Sequence, residues 1–409
     1  MRILFLSQYF FPEQFSNNNI VRELADRNHE VEVVTGVPNY PIGKFFSGYS
    51  NRLRREDIWH GVSIHRAWSI ARGKSGLQLI ANFICFPITG SWTALRRVRG
   101  SVDILFVSCL SPLFQALPAI VFSWIRRVPV VFWVQDIWPE SALLTVGIKH
   151  SAVVKPLNWL CGWIYRRADL LLVQSDTFPA MIECHGVPRE RIRVFPNTAP
   201  EFYRPVLPIE ATQEGALVPQ GGFRLMFAGN VGESQDFSNL IVAAEILRDR
   251  YPTLKWVIIG SGRALEAVKS EVARRDLEGV FYFLGRFPEE RMPYFFAHAD
   301  ALLVSLKDKP IFALTVPYKI QTYLACGKPI LACIAGEGGR IINEAQAGLV
   351  VPPSQPIELA KAIAIMINAS PRRKIVWGRN ARRYFEDKYE SERIYTRLEQ
   401  WLGEVANRT

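Results

Sequence analysis

RILFLSQYFFPEQFSNNNIVRELADRNHEVEVVT, residues 2–35, decides the fold. Ile3 to Ser7 is an apolar run that ends in polar residues, as a strand buried on both faces does. Ser16 and Asn17 follow at the place of a helix cap, and Ile20, Val21, Leu24 and Ala25 then recur at helical spacing. Asn28 suits the stop of that helix. Val31, Val33 and Thr35 alternate with polar residues as a second strand. The stretch reads strand–helix–strand.

Working outward, the same alternation continues. Further strands are expected at Ile104–Val107, Val128–Val134, Leu170–Val173 and Arg193–Phe195, with helices between them. Residues 196–222 interrupt it with Pro196, Pro200, Pro205, Pro208, Pro219, Gly215, Gly221 and Gly222, the composition of a linker. It restarts with strands at Leu225–Ala228, Trp256–Gly260, Val280–Leu284, Ala301–Ser305 and Ile330–Cys333, and helices near Leu240–Arg250 and Ala264–Arg274. Ile394, Leu398, Trp401, Leu402 and Val405 mark a last amphipathic helix. Alternating strands and helices predict doubly wound parallel sheets. At 409 residues the chain exceeds what one core fills, so two domains are expected: 1–195, a linker at 196–222, 223–385, and a helix over 386–409.

Composition narrows the function classes. Hydrophobic residues make up 49% and charged residues 21%, which excludes a disordered or collagen-like chain. Cys85, Cys109, Cys161, Cys184, Cys326 and Cys333 form no C-x-x-C pair, so they read as reduced thiols, and no Cys/His cluster marks a metal site. The first thirteen residues, MRILFLSQYFFPE, contain one basic residue and no small-residue cleavage site, which argues against a signal peptide. Net charge is +11, and residues 1–195 carry 22 Lys+Arg against 14 Asp+Glu. A basic half implies an anionic partner, nucleic acid or an anionic membrane. The aromatics fall in no RNA-binding pattern, so nucleic acid is disfavoured. Two uncharged stretches, Ser75–Leu95 and Ile104–Ile125, approach the length of a membrane span but contain proline and polar residues. Three readings remain: insertion, a peripheral face, or ordinary core helices.

Ligands of a doubly wound sheet sit beyond the carboxyl ends of its strands, and with two such domains the cleft between them is the expected site. The first strand ends in Ser7-Gln8-Tyr9 with no G-x-G-x-x-G, which argues against a nicotinamide dehydrogenase. Gly229-Asn230-Val231-Gly232 and Gly260-Ser261-Gly262-Arg263 are both strand–glycine turn–helix junctions, where backbone N–H groups approach phosphate oxygens. Pro317 fits a first helical position and Lys319 the first turn after it; a cation at a helix N-terminus clamps a diphosphate, and Gln321 follows. In the first half, Val128–Val134 runs into Gln135-Asp136-Ile137-Trp138-Pro139-Glu140-Ser141, putting Asp136 where it can orient or deprotonate a hydroxyl, or serve as a cap or structural ion pair. Glu140, farther from the strand end, reads as structural.

Six segments together resemble the retaining family-4 glycosyltransferases of the GT-B fold, in their bacterial O-antigen and capsule branch with the N-acetyl-L-fucosamine transferases: VPNYPIGKFFSGY (37–49), WVQDIWPES (133–141), FAGNVGESQDF (227–237), FLGRFPEERMP (283–293), VPYKIQTYLACGKPIL (316–331) and GEGGRIINEAQAGLVV (336–351). The resemblance implies two Rossmann-like domains, a C-terminal helix crossing back to the first of them, and a nucleotide-sugar donor, UDP-linked, on the second. Gly229, Asn230 and Gln235 would approach the donor phosphates alongside Gly260 and Gly262. Arg286 and Phe287 would lie near the base, Lys319 and Gln321 at the diphosphate and ribose, and Glu337 and Gly338 at the donor sugar. Gln135, Asp136 and Glu140 would stand on the acceptor side, with Asp136 and Lys319 carrying catalysis.

The acceptor implied is a polyprenyl-diphosphate-linked saccharide, met by a peripheral enzyme on the cytoplasmic face of the inner membrane, with no cofactor and no metal ion. Arg52, Arg54, Arg55, Arg72, Lys74, Arg96, Arg97 and Arg99, with Trp59, Trp68 and Trp92, would form the docking face on anionic lipid. The chain departs from the wider family in having Asn230 and Gln235 where Arg and Lys are usual, Leu314 and Thr322 in place of a Glu-x7-Glu pair, Gln135 for His, and Phe15-Ser16-Asn17-Asn18-Asn19 for a glycine-rich loop, and from the O-antigen branch in having Tyr318 for Ser. A sugar-nucleotide 2-epimerase and a non-catalytic assembly protein share the fold and are the competing readings.

Overall fold

The computed structural model describes residues 1–73, 76–141, 143, 150–208 and 213–408. It resolves into two compact units, Met1–Pro196 with Glu392–Thr409, and Asn197–Ser391. Lys74 and Ser75, named above in the docking face and the uncharged stretch, lie outside the described residues.

The first unit is built on β1 (Arg2–Leu6), β2 (Glu30–Thr35), β3 (Glu56–Trp59), β4 (Val62–Arg66), β5 (Ile104–Cys109), β6 (Val130–Val134), β7 (Leu170–Val173) and β8 (Ile192–Val194), in the order β3-β4-β2-β1-β5-β6-β7-β8. All neighbours are parallel except the edge pair β3–β4. That antiparallel hairpin was not read from the sequence. Its turn is His60-Gly61, both at positive φ (48° and 76°), the conformation that matches strand twist in a two-residue hairpin. The chain order reverses between β1 and β5, so the switch point lies where Ser7-Gln8-Tyr9 and Leu110-Ser111 leave the sheet.

The helix after β1, Ser16–Asp26, differs from its expected cap. Phe15 is its N-cap residue with no side-chain cap bond, and Asn17 is buried, donating to Ser7 Oγ and the Tyr9 carbonyl, both at 2.9 Å. Asn17 therefore ties the helix to the end of β1 instead of closing the helix end. Asn28 takes positive φ just past that helix, as its stop requires.

The second unit holds β9 (Phe223–Ala228), β10 (Leu254–Ile259), β11 (Phe281–Gly285), β12 (Ala301–Ser305), β13 (Ile330–Cys333) and β14 (Gly348–Val351), ordered β11-β10-β9-β12-β13-β14 and parallel throughout. Alternate residues of each strand feed two cores. Leu225 and Phe227 join Trp256, Ile258 and Leu240 on one face, while Met226 and Ala228 join Val257, Ile259 and Leu324 on the other. A sheet covered on both faces needs such near-continuous apolar strands. Residues 197–208 and 213–222, within the stretch of linker composition, group with this unit, and Gln213–Leu217 is a helix.

The last helix, Ser391–Ala406, buries Ile394, Tyr395, Leu398, Leu402 and Val405 in the core formed by Ile3, Phe5, Val21 and Leu24. The end of the chain thus belongs to the first unit. Arg27 bridges to Glu392 at 2.6 Å and Arg193 to Glu404 at 2.8 Å along that seam.

Candidate functional site

In the second unit the chain reverses between β9 and β12, and the glycine turns stand at that switch point. Gly229 and Gly260 have φ of 133° and 141°, open to glycine alone in practice. A Cβ on Gly260 would lie 1.8 Å from the Gly229 carbonyl oxygen, and one on Gly262 would lie 2.2 Å from that of Val231. The two turns are pressed backbone to backbone. Their N–H groups are partly committed to this: Gly229 donates to Ile259 at 2.8 Å, Val231 to Ser261 at 2.9 Å and Gly260 to Gly285 at 2.7 Å. Those three are spent on the fold. The glycines' contribution is a low, bare floor.

Lys319 stands over that floor. It is in the first turn of helix Tyr318–Ala325, whose N-cap is Pro317, so the helix begins one residue later than the spacing suggested. A Cβ on Gly229 would meet Lys319 Cε at 2.9 Å. Nζ donates to Gln235 Oε1 at 2.5 Å and lies 3.6 Å from the centre of the Phe227 ring. Loss of water holds the Lys319 ammonium well below the ordinary lysine range. An amide and a ring face bind a cation weakly, and neither cancels its charge. Among the described residues no carboxylate is bonded to it. Phe227 was missed in the sequence because a strand-interior phenylalanine reads as core, which it also is. Just beyond β12 the backbone N–H of Lys307 donates to the Ser234 carbonyl at 2.9 Å, which fixes the turn that carries Gln235.

The other residues assigned to the donor divide. Asn230 and Arg286 are exposed. Phe287 packs on Phe295 at 4.7 Å, with the Arg291 guanidinium 5.1 Å from its ring. Gln321 is buried, and in the orientation that satisfies its amide the nitrogen donates to the carbonyls of Pro317 and Tyr318, both at 3.1 Å. It braces the start of the helix that carries Lys319. Glu337 is buried at the start of helix Glu337–Glu344 and is paired with Arg340 at 2.6 Å; Gly338 packs beneath it against Ile334 and Ile320. Leu314 and Thr322 supply no carboxylate.

In the first unit the switch point is a buried polar network. Gln8 N–H donates to Gln115 Oε1 at 3.0 Å and Gln8 Nε2 to Asn82 Oδ1 at 2.9 Å. Beside it, Ser111 Oγ accepts from Trp138 Nε1 at 2.9 Å and donates to Asp136 Oδ2 at 2.8 Å. Burial raises the Asp136 carboxyl above the usual carboxylate range, and the Ser111 bonds offset part of that. Gln135 N–H donates to Cys109 O at 3.0 Å and its side-chain oxygen accepts from Gln174, while its buried Nε2 has no partner among the described residues. Glu140 meets His185 Nε2 at 3.4 Å; burial opposes its charge, but the histidine holds it below the usual range. Glu140 is thus tied into the body of the unit. Ser111, Gln174 and His185 were not legible as site residues, since the first two follow different strands and His185 follows the helix Phe178–Glu183.

Glu13 was also missed. Its buried carboxyl ties two loops together, accepting from the N–H groups of Asn39 at 2.7 Å and Tyr40 at 2.6 Å through Oε1 and from Phe10 at 3.2 Å through Oε2. Burial outweighs these bonds and pushes its pKa up to about 7. A carboxyl that is harder to ionise folded than unfolded binds more protons in the folded state between its two pKa values. Its contribution is therefore fully present below about pH 4.5 and is lost as pH rises through 7, a change of about 3 kcal/mol at 1.36 kcal/mol per unit. Urea titrations from pH 5 to 8 are expected to show this fall, and Glu13→Gln to flatten it.

Among the described residues no group of three His, Cys, Asp or Glu is placed to hold a metal ion, and no helix is long and apolar enough to cross a membrane.

Comparison with known proteins places this geometry. Residues 16–198 match the Glycosyl transferase 4-like domain and residues 209–384 match Glycosyl transferases group 1. The chain belongs to the glycosyltransferases these two models describe, with the GT-B fold. The glycosyltransferase WbjE of Pseudomonas aeruginosa is 30% identical over 253 residues, so the match spans 60% of either chain. WcaI of Escherichia coli K12, named as a colanic acid biosynthesis glycosyl transferase, is 23% identical over 348 residues, 80% of this chain and 82% of WcaI. Anabaena HepE, solved with UDP-glucose, superposes with a TM-score of 0.71 at 17% identity, covering 99% of this chain and all of HepE.

Proposed function

We propose that this chain is a retaining glycosyltransferase of surface-polysaccharide synthesis. In this reading it moves a sugar, of the N-acetylated deoxyhexosamine class that includes N-acetyl-L-fucosamine, from UDP to a polyprenyl-diphosphate-linked saccharide. It works on the cytoplasmic face of the bacterial inner membrane. The observation that carries the reading is Lys319: a desolvated cation with no bonded carboxylate, seated on a glycine floor at a switch point, is a cation waiting for a polyanion. HepE binding UDP-glucose supports a UDP-sugar donor, and the colanic acid biosynthesis role named for WcaI supports cell-envelope polysaccharide as the product.

The second unit holds the donor and the first the acceptor. Lys319 stabilises the leaving diphosphate as its bond to the anomeric carbon breaks. The acceptor oxygen bonds to that carbon from the same face, and its proton passes to the departing phosphate oxygen. Asp136, oriented by Ser111, fixes the acceptor hydroxyl, and positioning with charge neutralisation does the rest. No metal ion takes part.

A panel of UDP-, GDP- and dTDP-sugars with and without a polyprenyl-diphosphate saccharide tests this. The expected result is donor consumption only with lipid acceptor, with the anomeric configuration retained by NMR. Consumption without acceptor identifies a 2-epimerase, and none with any donor an assembly protein. Asp136→Asn is expected to lower transfer about 10²-fold while UDP affinity is unchanged, because the hydroxyl's partner is lost and the donor site is not touched. Equal loss of UDP binding removes Asp136 from the acceptor side.

A further inference from the structure

The proposed membrane partner needs a surface, and within the expected face Arg52, Arg54, Arg55, Arg96, Arg99, Trp68 and Trp92 are exposed while Trp59 and Arg97 are held by neighbours. Trp59 is stacked on Phe11 at 5.3 Å and edge-on to Phe10 at 5.4 Å, and Arg97 is paired with Glu56 at 2.6 Å. A run of exposed apolar side chains lies on helix Gly76–Arg97, a 22-residue helix with Pro87 inside it. One face holds Asn82, Cys85, Phe86, Thr93 and Ala94 in the unit's interior. On the other face Leu77 is 82% exposed, Ile80 55%, Ile84 55%, Ile88 66% and Trp92 61%. From Ile80 these recur every fourth residue and end at Arg96, whose guanidinium sits 4.3 Å from the Trp92 ring. Residues four apart share one face of a helix, so this is a continuous stripe. Beside it a groove of about 500 Å³ is lined by Arg55, Trp68, Ile88 and Trp92.

Charge selects the occupant. Between Asp57 and Asp136 the sequence has one acidic residue, Asp103, against Arg66, Arg72, Lys74, Arg96, Arg97, Arg99, Arg126 and Arg127. A helix anchored in the core along one face lies in the plane of whatever it meets and does not cross it. An apolar stripe with tryptophan and arginine at its end, where the neighbouring acid Glu56 is paired with Arg97, matches the boundary between acyl chains and anionic headgroups.

We propose that helix Gly76–Arg97 is the element by which this chain lies on an anionic bilayer, with Leu77, Ile80, Ile84, Ile88 and Trp92 among the acyl chains and Arg55, Arg96 and Arg99 at the headgroups. This deepens the membrane half of the proposed function, and its test does not depend on turnover.

The test is flotation of the full chain with phosphatidylcholine vesicles and with vesicles containing about 30% phosphatidylglycerol, the anionic fraction being what charge selection requires. The wild type is expected to float with the anionic vesicles. The Ile80→Asn, Ile84→Asn, Ile88→Asn variant is expected to lose at least about tenfold in partition, since the apolar term is removed and the arginines are kept. Its thermal melt should be unchanged, because these side chains are exposed. A second measurement needs no destabilising change: an environment-sensitive fluorophore on Ile84→Cys in a Cys184→Ser background. Its emission should shift to the blue and be quenched by nitroxides on the acyl chains, whereas the same probe on Lys361→Cys should not respond.

Flotation of the triple variant like the wild type, or a silent probe at position 84, overturns the assignment. So does a stripe variant that turns a dimer into monomers in sedimentation without changing vesicle binding, since the stripe is then a contact between copies. UDP-sugar turnover persisting without vesicle binding sinks this inference alone; vesicle binding without turnover sinks only the proposed activity.

Discussion

Lys319→Ala is expected to lower transfer by about 10²–10³-fold, the usual cost of removing one preorganised group that stabilises charge developing in a transition state. The geometry says why the loss falls on turnover. Lys319 Nζ already sits desolvated above Phe227 and bonded to Gln235, so no reorganisation is needed when the diphosphate departs. Its ammonium lies well below the ordinary lysine range because water has been removed and nothing anionic has replaced it. A diphosphate placed beside it reverses that imbalance and raises the group again. UDP should therefore bind the wild type more tightly than Lys319→Met, which keeps the length of the side chain and loses the charge, and calorimetric titration with UDP measures the difference. A Lys319→Ala enzyme within twofold of wild type, or equal UDP affinity in Lys319→Met, removes the lysine from the leaving-group role.

The lysine also shows where sequence reading reaches its limit. Position 319 was legible because a cation after a proline that opens a helix is a local pattern, and the strands were legible because burial on both faces leaves a mark on every residue of a run. What holds the lysine in place is not local. Phe227 and Gln235 come from one strand–helix junction and Lys319 from another, brought together only when β9 and the helix after β12 share a switch point. The same holds in the first unit, where Asp136 was visible at the end of β6 but its partner Ser111 follows β5. The 229–232 turn was legible as a glycine turn, yet reading its amides as phosphate donors missed that the N–H groups of Gly229 and Val231 are used against the neighbouring turn. The β3–β4 hairpin escaped for a different reason. Its four-residue edge strand is half exposed, so Glu56–Trp59 lacks the apolar run that marked the others.

The pairing of the two turns gives the second large effect, this time on stability. Gly260→Ala places a methyl group 1.8 Å from the Gly229 carbonyl oxygen and 2.9 Å from its carbon, at a φ of 141° that side-chain-bearing residues rarely adopt. The obstacle is backbone, so no rotamer relieves it. Either the end of β9 or the end of β10 must move, and both are interior strands of the six-stranded sheet, held in register from Leu254 with Phe223 to Ile259 with Ala228. Overpacking and backbone strain together should cost about 4 kcal/mol. For a unit of this size that corresponds to a fall of about 10 °C in the melting temperature. Gly279→Ala is the control. It has nothing within 4 Å of the added carbon and an ordinary φ, so its stability should change by less than about 0.5 kcal/mol. Because Gly229 lies directly under Lys319, whatever movement relieves the Gly260 clash also shifts the lysine's floor. The folded fraction of Gly260→Ala should therefore bind UDP more weakly than wild type at temperatures where both are native. If Gly260→Ala melts within 2 °C of Gly279→Ala, a shift worth less than about 1 kcal/mol in a unit of this size, the close packing of the two turns is not what shapes this site.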